Sequence, residues 1–161
     1  MLDLFASIEA SALGRVMRES SPWTYPIVNL THILGIASLF GAVLVLDLRL
    51  LGLWRHVPLR ALADAAVPVA RGGFVVAAAS GVGLISANAT DYVGNPFLLF
   101  KFPAIAVGLA NALVLARSAA WGAGLDGVPS AGQRRRLGIM AGVSLASWLT
   151  AIAAGRMIGY W

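Results

Sequence analysis

Between Trp23 and Leu53 the chain runs for about thirty residues of mostly Ile, Leu, Val, Ala and Gly, long enough to cross a bilayer with some tilt. In hydrocarbon the backbone must satisfy its own hydrogen bonds, so an apolar run of this length spans as a helix. One side chain in it does not belong in hydrocarbon. His32 lies nine residues beyond Trp23, which is roughly 13 Å along a helix axis at 1.5 Å per residue. An ionisable group at that depth marks a candidate functional site.

Three further apolar stretches follow, and the pattern predicts spans over about 25–51, 67–87, 96–116 and 137–160. With 59% hydrophobic and 12% charged residues, an ordinary soluble domain is excluded. The expected fold class is all-α: a polytopic membrane protein, one domain over 1–161, built as a four-transmembrane-helix bundle. Leu2, Phe5, Ile8, Ala12 and Val16 recur at helical spacing, so residues 1–20 read as a short amphipathic helix in the interface. Residues 117–136 are rich in Gly and Ser and read as an irregular loop ending in Arg134, Arg135 and Arg136.

The absence of Cys removes disulfides, thiolate metal sites and Cys nucleophiles. A net charge of +5 in this class reports topology and contact with the lipid bilayer rather than nucleic acid. Arg49, Arg55, Arg60, Arg71, Arg117, Arg134, Arg135 and Arg136 flank the first and third connections, eight of the twelve basic residues. The positive-inside rule then puts both connections in the cytoplasm and both termini in the periplasm of a bacterial inner membrane. Asp47 and Arg49 do not face each other at i and i+2, so a cation on the second span, such as Arg71, is the expected partner of Asp47.

That orientation puts His32, Lys101 and Arg156 in the outer half of the bundle. Lys101 and Arg156 lie about 8 Å below their helix ends, and His32 lies deeper. One imidazole below two cations suits haem b or a related tetrapyrrole, with iron on His32 and propionates on Lys101 and Arg156. Gly81 and Gly83 share that half, and their missing side chains would let a flat macrocycle lie against the backbone. The small-residue repeat Gly73, Ala77, Gly81 equally suits plain helix packing, as does the face formed by Gly35, Ser38 and Ala42. Imidazole on iron needs its other nitrogen hydrogen-bonded. A carbonyl one turn earlier, at Val28 or Asn29, is the expected acceptor, and Asn29 shares the face of His32. Each residue also has a plain reading: a packed His32, Lys101 and Arg156 snorkelling to head groups, and a solvated His56. No second intramembrane His is present, and Met157 lies on the correct side for a sixth ligand but near the surface.

The stretches LTHILGIASLFGAVLVLDLRLLGL, GGFVVAAASGVGLISANATDYVGNPFLLFKFP and a closing W-x-x-x-I-A-A-G-R-M-I-G-Y resemble an uncharacterised bacterial family of small four-helix membrane proteins, over nearly the whole chain. More distantly, an intramembrane His on the first helix and a Lys opening a later one are similar to the HemJ-type protoporphyrinogen oxidases and the copper resistance protein D membrane domains. The HemJ resemblance implies that His32 is a haem ligand and Lys101 a carboxylate-binding or catalytic residue. The expected function is therefore haem b or tetrapyrrole binding with a redox or tetrapyrrole-handling role, an oxidoreductase in the enzymatic case, in a protein that self-associates. Copper handling or transport is the first rival, weakened by one intramembrane His, no Cys and four Met. A non-catalytic subunit of a larger membrane complex is the second, with His32 structural.

Overall fold

A computed structural model describes residues 2–161. It contains seven α-helices and two 3-10 turns, with no strand among the described residues. Two short helices, α1 (Leu2–Glu9) and α2 (Ala12–Glu19), lead into α3 (Thr24–Leu51) and α4 (Leu59–Ala87). A 3-10 turn over Ala89–Tyr92 precedes α5 (Leu98–Ala116), and a short α6 (Ala119–Leu125) precedes α7 (Ala131–Met157). Four of these helices, α3, α4, α5 and α7 with its 3-10 extension, are long and apolar enough to cross a membrane. The chain is a multi-pass membrane protein with an all-helical fold.

Three boundaries differ from the sequence expectation, each for a local reason. The second span starts at Leu59 rather than near 67. Arg60 and Asp64 dilute the apolar run there, yet Leu59, Ala63 and Ala66 recur at i, i+4 and i+7 and are buried. They form a core with Leu46 of α3. The stretch 117–136 is not simply irregular. Ser118 caps α6 by accepting from the Trp121 N–H, and Ser130 with Gln133 forms a full capping box at the start of α7. The arginine triplet is therefore helical. The N-terminal segment breaks at Ala10–Ser11, where Ser11 accepts from the Gly14 N–H and starts a second helix.

The residues fall into two compact units, one of residues up to Leu39 with Arg71–Pro96, the other of Phe40–Ala70 with Phe97–Trp161. Two of the three boundaries fall inside helices, so α3 and α4 each give one stretch to each unit.

In the first unit α3 and α4 meet backbone to backbone. A Cβ added at Gly35 would lie 2.7 Å from the Ala77 nitrogen and 3.0 Å from the Gly73 oxygen. One at Gly73 would lie 2.5 Å from the Leu39 nitrogen. The repeat at 73, 77 and 81 is thus the seam on which α3 rests, as small-residue motifs do where helices pack without a hydrophobic drive. The N-terminal helices close on the end of α4. Arg18 donates to the carbonyls of Ala87 (2.8 Å) and Glu9 (3.0 Å). Glu9 accepts from the Thr90 hydroxyl and backbone N–H, and those two bonds hold its carboxyl below the usual carboxylate value.

In the second unit α5 packs along α7. Gly108 lies against the Trp148 ring, and the Asn111 amide donates to the Met140 carbonyl at 2.9 Å. The outer face of α5 is exposed and apolar, including Leu99, Phe102, Val107 and Leu113. That surface suits lipid.

The seam makes adjacent glycines unequal. A Cβ at Gly72 meets nothing within 4 Å, so Gly72→Ala should be neutral or gain up to about 1 kcal/mol from helix propensity. Gly73→Ala should cost about 1–3 kcal/mol, because α3 must shift to admit the methyl group. Thermal unfolding in mild detergent, followed by circular dichroism, compares the two. Equal Tm values would reject the backbone contact.

Candidate functional site

His32 sits in α3 one turn before Gly35, and the seam determines what its ring meets. Its Nδ1 lies 2.8 Å from the Ala77 carbonyl oxygen and 3.1 Å from the Ser80 hydroxyl, both on α4. A carbonyl has no proton to give, so Nδ1 carries the hydrogen and donates. The Ser80 hydroxyl spends its own proton on the Val76 carbonyl, which leaves a lone pair facing the same Nδ1–H. In the neutral ring this puts the basic lone pair on Nε2.

The acceptor is on the neighbouring helix, not at Val28 or Asn29 as expected from the sequence. Within α3 those carbonyls point along the helix and accept the backbone N–H groups one turn on. Asn29 itself is exposed. The Ala77 carbonyl is reachable from the side because Gly81, one turn later, has no side chain to cover it. A Cβ at Gly81 would stand 3.0 Å from the His32 Cε1.

Gly81 therefore makes room for the imidazole, and the space beside it holds that ring rather than standing open for a macrocycle. Gly83 likewise faces occupied space: a Cβ there would lie 3.4 Å from the Met17 Sδ and 3.5 Å from the Val28 Cγ1. Met17 is buried and comes from α2, an element whose packing no periodicity in the sequence revealed.

His32, Gly81, Gly83 and Asn29 belong to the first unit, and Lys101 and Arg156 to the second. Lys101, in the first turn of α5, lies over the bare backbone of Gly155 on α7, with Cε and Nζ each 3.7 Å from where its Cβ would be. Arg156 is exposed, hydrogen-bonds the Tyr160 hydroxyl, and stacks over that ring with its guanidinium carbon 4.7 Å from the centroid. Beside them an open apolar groove, lined by Phe97, Phe100, Thr150, Ala153, Ala154 and Met157, runs along the α5–α7 contact. Asp47 is buried in the second unit, and the residue that interacts with its carboxyl is Ser144 of α7. The expected ion pair with a cation is not formed: among the described residues the ion pair is Arg60 with Asp126.

The tautomer of His32 is directly measurable. In protein labelled with nitrogen-15 at histidine, His32 should show a protonated Nδ1 and an unprotonated Nε2, and Ser80→Ala should preserve that pattern because the Ala77 carbonyl remains. An Nε2–H tautomer in the wild type would contradict the Ala77 bond.

No curated protein and no solved structure matches the chain. A family model matches residues 4–161, nearly the full length, and the chain belongs to that family, DUF6644, a family of unknown function.

Proposed function

We propose that this protein binds haem b or a related tetrapyrrole through the Nε2 of His32, in a redox or tetrapyrrole-handling role. The observation that supports it most is the Nδ1–H bond to the Ala77 carbonyl. A histidine that ligates metal almost always donates its other ring N–H to a carbonyl or carboxylate, which fixes the tautomer and raises the basicity of the ligating nitrogen. The donor inventory favours a tetrapyrrole over bare copper. Among the described residues no group of three or more His, Cys, Asp or Glu could hold a metal ion. Copper alone needs several protein donors, whereas a porphyrin brings four nitrogens of its own and asks the chain for one axial ligand. The proposal rests on the first unit alone.

The absorption spectrum of protein made with ample haem and purified in mild detergent tests this. Wild type should show a Soret band. His32→Ala should lose it to baseline while still inserting, since a small residue is well tolerated in a spanning helix. Gly81→Leu should weaken the band by displacing the imidazole. A colourless wild type, or a pigment retained in His32→Ala, would sink the proposal and leave His32 as a packing residue in a subunit of a larger complex.

We also infer an inner-membrane location with both termini in the periplasm, on the eight basic residues that flank the α3–α4 and α5–α7 connections. A C-terminal reporter active only in the cytoplasm should be silent, and strong activity would reverse the orientation.

A further inference from the structure

Asp47 is the buried acidic residue of the spanning helices, and the proposed function leaves it unused. It stands four residues before the end of α3 and is 3% exposed. Its Oδ2 has no hydrogen-bond partner, and it is the one such buried side-chain atom among the described residues. Ser144, on the buried face of α7, is the group that interacts with the carboxyl. Eight residues separate Ser144 from Arg136, which puts the carboxyl about 12 Å along α7 from the arginine triplet.

The charged groups of the elements packed around Asp47 are all committed or exposed. On α3 itself, Arg49 donates to the carbonyls of Val57 and Arg55. Arg60 of α4 pairs with Asp126, which caps α6, and Asp64 and Arg71 of α4 are exposed. On α7, Arg134 donates to the Pro129 carbonyl, while Arg135 and Arg136 are exposed. Lys101 of α5 lies against Gly155, and Arg117 at its end is exposed. Among the described residues no ion pair reaches Asp47, so the carboxylate form would carry an uncompensated charge inside a spanning segment, the costliest state such a group can take.

We propose that the Asp47 carboxyl is a proton-binding site in the contact between α3 and α7. One proton from water forms an O–H bond at the carboxyl, and the charge of the group goes from −1 to zero. A metal cation is the less suitable occupant. Hard cations take about six or more oxygen ligands, and the side-chain oxygens here are those of Asp47 and Ser144. The site belongs to the second unit and stands independently of haem binding by His32.

Infrared spectroscopy of the full chain in bilayers tests this. At pH 7 the wild type should show the carbonyl-stretch band of a protonated carboxyl, shifted by exchange into deuterium oxide, and Asp47→Asn should lose it. The Asn variant copies the shape and neutrality of the protonated acid, so it should fold. If it does not, wild-type protein labelled with carbon-13 at aspartate answers the same question. Of its five aspartates, one should keep a protonated carboxyl shift at pH 7. Both experiments are run in sodium chloride and in choline chloride. Equal spectra in the two salts support a proton. A band lost in sodium alone would make the site a metal-cation site, and no protonated aspartate in either salt would show an ionised carboxylate; each of these overturns the proposal.

Discussion

The close approach of two backbones in the first unit is the contact on which its chemistry depends. Lipid tails are as apolar as leucine, so helices in a bilayer gain little from burying apolar surface against each other and rely on packing and polar contacts. Gly35 and Gly73 supply the packing by removing the side chains that would hold α3 and α4 apart. The polar contact follows from it. Only with the helices this close does the His32 ring, projecting from α3, reach a carbonyl on α4.

The carbonyl it reaches is also a product of the seam. Every carbonyl within a regular helix already accepts one backbone N–H, but each has a second lone pair. In most helices side chains shield it. Gly81 leaves the Ala77 carbonyl uncovered, and the imidazole fills the gap. One glycine thus supplies both the space for the ring and access to its acceptor. Chemistry at Nε2, including the haem ligation proposed for it, inherits its tautomer from this arrangement.

The second unit satisfies its polar groups differently. Asn111, Ser144 and Ser147 line the α7 contacts, and two of them are matched to backbone carbonyls. Asp47 is the exception, a carboxyl placed against a serine where an arginine would have been the simpler partner. An orphaned oxygen on a buried acid is costly enough that its retention calls for an occupant, and the proton is the occupant that the available oxygens can hold. Lys101 and Arg156 lie near helix ends, over Gly155 and on Tyr160, positions that cations in membrane proteins take readily.

The spans were legible in the amino-acid sequence because hydrocarbon leaves a long apolar segment little choice but to be a helix. The seam at 73, 77 and 81 and the isolation of His32 were legible for the same reason: small residues at i+4 and an ionisable group in an apolar run stand out against leucine. Helical segments outside the long apolar runs were harder to read. The first two turns of α4 and the whole of α6 are set by capping serines and by burial against neighbours, which hydropathy does not record. The occupants of the glycine gaps, His32 at Gly81 and Met17 at Gly83, and the pairing of Asp47 with Ser144 were decided only by tertiary structure. A bare surface in a sequence states that something fits there, while what fits depends on which helix lies opposite and in which register.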